Sequence, residues 1–208
     1  MKNKFPIKKY RKINEFKNDY YKIFFKTINQ INVKDIETAT KLILNKIKKK
    51  KNIFIAGNGG SAAISNHMLC DYLKFLRERS RLKPKFFSLS NSIELITAIA
   101  NDINYNDIFS YQIQSNANKG DLIILISSSG NSKNIINAIK AAKEKNMYIM
   151  SLTGFDGGFV KKNSNLNIHC AVKNYAISED IHHSVLHLIC QYLSQMFLKE
   201  NIVAKTKF

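Results

Sequence analysis

From Asn52 onward the chain is a series of short apolar runs separated by helical stretches, and this alternation restricts the fold more than any other feature. The runs are Ile53–Ala56, Phe86–Leu89, Leu122–Ile126, Ile149–Leu152 and Leu166–Val172, bounded by Gly, Ser and Asn. Between and after them, residues near 61–77, 132–145 and 179–199 read as helices. Short, largely apolar runs suit strands buried on both faces, and strands that alternate with helices pack as a parallel sheet covered on either side. The expected fold is therefore α/β, a doubly wound, five-stranded parallel sheet flanked by helices. Ahead of it, residues of about 10–31 and 33–50 carry Ile13, Phe16, Tyr20, Ile23 and Phe24 at helical spacing, which predicts two N-terminal helices.

A chain of 208 residues can bury one core without disulfides or a structural metal, so one domain over 1–208 is expected. Within it, 51–200 would form the α/β core and 1–50 the helices used in oligomerisation. The first of those helices has Tyr21, Phe25 and Ile28 beside Phe24, more apolar positions than one buried stripe needs, and surplus apolar area of that kind marks an interface. No apolar run approaches the roughly 18 to 20 residues of a membrane span, and Met1 to Tyr10 has no apolar core of the export type. A cytoplasmic protein with no membrane partner is expected. Cys70, Cys170 and Cys190 show no CxxC spacing, which excludes a disulfide framework or zinc knuckle and leaves reduced, half-buried thiols.

The formal charge of +18 would suit a polyanion, but the lysines are scattered among Asn and Ile. The one dense run, Lys46 to Lys51, closes a helix, where cations favour the dipole. No nucleic-acid partner is expected; the field can still gather anionic substrates.

In such a sheet, ligands bind at the carboxyl edge, so the turns after the first and third runs are the places to search. The first reads Gly57-Asn58-Gly59-Gly60-Ser61-Ala62-Ala63, small residues that let backbone amides approach an anion or a sugar. The second reads Ser127-Ser128-Ser129-Gly130-Asn131-Ser132, with four hydroxyls, a glycine and helix N-terminal amides. Ser132 stands where a helix cap would, but one cap needs one serine, and four point to a neutral phosphate cradle. Neither GxxxxGK[ST] nor GxGxxG occurs, so a nucleoside-triphosphate loop and a dinucleotide fingerprint are unsupported. Downstream of the first turn His67 and Asp71 lie four apart, hence on one helix face, and the last long helix carries Glu179, His183 and His187 at the same spacing.

With His67, Ala100-Asn101-Asp102 and Leu152-Thr153-Gly154-Phe155-Asp156-Gly157-Gly158 in the same order, these motifs resemble the phosphoheptose isomerases (sedoheptulose-7-phosphate isomerases) of the sugar-isomerase (SIS) domain class, over about residues 10 to 197. The resemblance implies an aldose–ketose isomerase that converts sedoheptulose 7-phosphate to D-glycero-D-manno-heptose 7-phosphate for surface polysaccharide such as lipopolysaccharide or capsule. It implies substrate contacts from Asn58, Gly59, Gly60, Ser61, Asp71, Asn101, Asp102, Ser127, Ser128, Ser129, Ser132 and Glu179. It further implies one zinc ion at His67, Asp71, Glu179 and His187, base and acid roles for Asp71 and His187, and a homotetramer. His183 has no role in that pattern and reads as a packed or solvated residue.

Two of these positions depart from the family, which has Glu at the place of Asp71 and Gln at that of Glu179. A further departure is Lys173-Asn174-Tyr175-Ala176-Ile177-Ser178, where the family commonly places an Arg. These departures keep open an isomerase of a different phosphosugar. A non-catalytic adaptor of the replication-initiator-associating type would have no chemical need for acids and histidines at all four metal positions. Along a continuous helix Glu179 and His187 stand about 12 Å apart in rise, so a shared ion would need the helix to begin close to Glu179.

Overall fold

The computed structural model describes residues 3–208; Met1 and Lys2, the first residues of the segment weighed above as an export signal, lie outside the described residues. In chain order the elements are β1 (Asn3–Lys4), α1 (Ile13–Ile28), α2 (Val33–Lys48), β2 (Asn52–Gly57) and α3 (Gly60–Cys70), which continues through a π-helical segment, Asp71–Leu76, into α4 (Arg77–Ser80). There follow β3 (Lys85–Ser88), α5 (Ile93–Ile99), a π-helical turn at Ala100–Asn104, α6 (Ser110–Asn116), β4 (Leu122–Ser127) and α7 (Lys133–Glu144). The remainder is β5 (Tyr148–Thr153), α8 (Gly158–Asn163), β6 (Leu166–His169), β7 (Val172–Lys173), α9 (Tyr175–Gln195) and α10 (Glu200–Val203).

Five strands form one parallel sheet in the order β3-β2-β4-β5-β6. Its side chains alternate between two cores, as a pleat with both faces covered requires. Ile53, Ile55, Leu122, Ile124 and Ile126 point to the side of α2, α3 and α9, whereas Phe54, Ala56, Ile123 and Leu125 point to that of α6 and α7. The central strand β4 is buried at all six positions.

Three details differ from the sequence reading. The run Leu166–Val172 is not one strand: β6 stops at His169, and Val172–Lys173 pairs instead with Asn3–Lys4 at the chain's start. Helix α9 begins at Tyr175 rather than near Glu179, because Asn174 supplies a cap, its Oδ1 accepting from Ile177 N at 2.9 Å. The same side chain donates through Nδ2 to the carbonyl of Phe5, and Phe5 is buried among Tyr10, Phe16 and Tyr20. Finally, the cysteines are not half-buried: Cys170 and Cys190 are buried and Cys70 is exposed. Burial pushes both buried thiols up to about 12, so they stay protonated and inert.

The basic run does close α2: Lys46 Nζ donates to the Gly120 carbonyl at 2.6 Å and Lys51 Nζ to that of Lys119 at 2.9 Å. Tyr21 and Phe25 of α1 are exposed, 52% and 59%, as a surplus apolar face would be. Among the described residues no helix is long and apolar enough to cross a membrane.

Candidate active site

The chain leaves β2 for β3 on one side and returns to β4 on the other, so the turns after β2 and β4 flank the point where strand order reverses, and a crevice opens there. A reciprocal amide pair ties the two turns together. Asn58 Nδ2 donates to Asn134 Oδ1 at 2.8 Å, and Asn134 Nδ2 donates to Asn58 Oδ1 at 2.9 Å. Between them lies a cavity of about 120 Å3, lined by Asn58, Ser61, Ser127, Ser128, Ser129, Ser132, Tyr175 and Glu179.

Two of the serines shape the turn: Ser127 Oγ accepts from Gly130 N at 3.1 Å and Ser129 Oγ from Asn131 N at 3.4 Å. The others are uncommitted. Ser128 Oγ is buried with no partner among the described residues, and Ser132, although at the N-terminal cap of α7, makes no capping bond. An unpaired buried hydroxyl costs about 1–3 kcal/mol, so Ser128 marks a place built for a polar ligand.

Gly130 holds φ at +68°, and a methyl group there would collide with the carbonyl of Gly157. The Gly154–Gly158 loop thus forms the wall on which the serine turn rests, with Val160 N donating to the Gly130 carbonyl at 3.0 Å. Gly130→Ala is expected to cost about 2–3 kcal/mol, read as a thermal midpoint lowered by roughly 5–10 °C. An unchanged midpoint would show that the turn is not packed this way.

The other members of the expected substrate set are more dispersed. Gly59, at φ +54°, is the exposed N-terminal cap of α3, while Ser61 is buried and lines the cavity. Asn101 and Asp102 are exposed in the π-helical turn and bond each other, Asn101 Nδ2 donating to Asp102 Oδ1 at 2.8 Å. They do not line the serine cavity; their nearest link to it is Tyr105, whose hydroxyl donates to Asn58 Oδ1 at 3.4 Å.

Farther along α3 and α9 is a second constellation. His67 Nε2 stands 3.6 Å from Asp71 Oδ1, and His187 Nε2 stands 3.2 Å from Asp71 Oδ2, so one carboxylate bridges two imidazoles from different helices. Asp71 is the first residue of the π-helical segment, where the helix takes in an extra residue, a feature common at functional sites. His183 joins them: its ring centroid lies 4.8 Å from that of His67 and 4.1 Å from that of His187. Among the described residues, His67, His183 and His187 form the group whose potential ligand atoms all lie within 4.8 Å of one another. Burial, and then the neighbouring His187 and His67, lower the His183 pKa, which favours the neutral, metal-binding form. Adjacent His182 belongs to the core instead; burial lowers it to about 4, and its Nε2 lies 3.3 Å from Cys170 Sγ.

Glu179 stands apart from this group. It sits against Gly60, where even a methyl group would collide with its carboxylate, and burial followed by Asp180 raises its pKa. From Gly60 to His67 is about 10 Å of helix rise, so the four residues expected around one ion divide into three at the histidines and one at the serine cavity. The sequence reads His183 as packed or solvated and gives Tyr175 no role, yet the structure sets the one among the histidines and the other in the cavity wall. Both fall on the four-residue spacing of Glu179 and His187, which was the available signal.

The SIS domain family model matches residues 17–154. The phosphoheptose isomerase of Campylobacter concisus is 32% identical over 179 residues, covering 86% of this chain and 93% of that protein. That of Chromohalobacter salexigens is 35% identical over 164 residues, covering 77% and 82%. The solved structure of a phosphoheptose isomerase from Neisseria gonorrhoeae superposes with a TM-score of 0.79 at 27% identity, covering 88% of this chain and all of that one. On these matches, and with the crevice and histidine group described above, the chain belongs to the phosphoheptose isomerase family of SIS-domain proteins.

Proposed function

We propose that this chain isomerises sedoheptulose 7-phosphate to D-glycero-D-manno-heptose 7-phosphate, with the phosphate in the serine cavity and the reacting carbons at Asp71 and His187. The observation that carries the reading is the spacing of the two sites. An extended seven-carbon chain spans roughly 7–8 Å, and its phosphate brings the reach close to the roughly 10 Å of helix rise from Gly60, against Glu179 of the cavity wall, to His67. In this substrate the reacting C1 and C2 lie at the opposite end from the phosphate, as that spacing requires.

Phosphate binding would fall to the Ser128 and Ser132 hydroxyls, the turn amides and the N-terminus of α7, all neutral donors that a dianion can use without a lysine. Asn58 and Glu179 face the middle of the sugar. The Asp71 carboxylate takes the proton from one carbon and returns it to the next, and His187, 3.2 Å away, serves the sugar oxygens as donor and acceptor. The clustered imidazoles with Asp71 fit a divalent ion such as zinc, which when bound would polarise the carbonyl and so acidify the adjacent C–H. Resemblance supports supply of the product to surface polysaccharide. The exposed Tyr21 and Phe25 support a homotetramer in the cytoplasm, to be checked by light scattering.

The direct test is turnover of sedoheptulose 7-phosphate by purified protein with and without added zinc; no conversion under either condition removes the reading. Replacing Ser128 and Ser132 together by Ala is expected to raise KM by about a hundredfold or more, because each of the two lost bonds to a charged group is worth about 1.5–3 kcal/mol, while kcat changes little. A KM at the wild-type value would place the phosphate elsewhere.

A further inference from the structure

We propose that His183 is a ligand of the divalent ion in this chain and that Glu179 is not, an inference that rests on the metal-assisted reading above. His183 Nε2 is buried and has no hydrogen-bond partner among the described residues, although the ring lies between two other imidazoles. A buried nitrogen lone pair with nothing to accept from is costly unless a ligand meets it. The Asp71 carboxylate accounts for the placing of His67 and His187 but not for that of the third imidazole, which a shared cation would explain.

The distances agree with that reading. Two donors held 2.0–2.1 Å from a tetrahedral ion stand roughly 3.3 Å apart. The Asp71 contacts to His187 and His67, 3.2 and 3.6 Å, already have that separation. All three imidazoles lie within 4.8 Å of one another, so closing on an ion needs shifts of less than about 1 Å per side chain.

Glu179 has the opposite circumstances. It is one turn before His183 and two before His187 on the continuous helix α9, and its carboxylate is lodged against Gly60 at the serine cavity. His183 occupies the intervening turn.

The test uses the full chain stripped of metal and titrated with zinc or cobalt(II) alone against a chromophoric chelator, with circular dichroism confirming the fold of each variant. His183→Leu is expected to weaken binding about a hundredfold or more and to change the visible spectrum of the cobalt form, since loss of even an outer partner costs 10–100-fold. His183→Gln, which keeps a polar side chain, should show the same loss, and Glu179→Gln should remain within about threefold of wild type. Loss in Glu179→Gln with none in the His183 variants overturns the assignment, as does a wild-type chain that holds neither ion. Turnover is followed on the same samples. A chain that binds the ion through His183 but converts no phosphosugar removes the isomerase reading alone; an active chain whose His183→Leu form keeps wild-type affinity and spectrum removes the ligand assignment alone.

Discussion

Asp71→Asn is expected to lower kcat by roughly a hundredfold to ten-thousandfold, the usual contribution of a positioned base, with a thermal midpoint close to wild type. The amide preserves shape and can still meet the imidazoles of His67 and His187, but it cannot accept and return a carbon-bound proton. Because Asp71 touches two histidines from different helices, its charge rather than its bulk is what the site uses. Asp71→Glu separates charge from reach. The longer acid advances the carboxylate by about 1.5 Å, and an ångström of misplacement can cost a hundredfold, yet it should retain more activity than the amide because the base survives. Equal activity of Asp71→Asn and wild type would remove Asp71 from the chemistry.

His187→Ala should reduce kcat by about a hundredfold or more when assayed with saturating zinc, so that ion loss does not account for the effect. An imidazole can both give and take a proton at oxygen, which alanine cannot. Removing it also leaves Asp71 with one histidine in place of two. The diagnostic pattern is a fall in kcat with KM little changed, since in the proposed reading the phosphate end of the substrate is held by the serine turn rather than by the histidines. A rise in KM alone would assign His187 to binding rather than proton transfer.

The sheet is legible because its five runs are short and largely apolar, and the serine turn because four hydroxyls beside a glycine exceed what capping explains. Helices α5 and α6, seven residues each, were not. They are short, and periodicity over two turns does not rise above background. The strand at Leu166 was extended too far because its apolar character continues through Cys170 to Val172, while the hydrogen bonds that end it depend on the chain's distant start. The histidine group was half legible. Four-residue spacing put Glu179, His183 and His187 on one face, but only the approach of α3, with its π-helical register at Asp71, shows that the middle of the three faces His67 and the first does not.

The clasp between Asn3–Lys4 and Val172–Lys173 bears on the order of events as the chain is made. Asn174 meets Phe5 across 169 residues of sequence, and Tyr20 of α1 donates to Asp180 of α9 at 2.6 Å. Contacts of such long separation carry the largest loop-closure entropy, and during synthesis the N-terminal partner must wait until Asn174 and Asp180 have left the ribosome. Strands β2 to β5 can pair well before then, whereas the helix that carries Glu179, His183 and His187 acquires its N-terminal support only at the end. A chain interrupted before α9 would thus lack that support and the residues Glu179, His183 and His187, even with strands β2 to β5 and the serine turn already made.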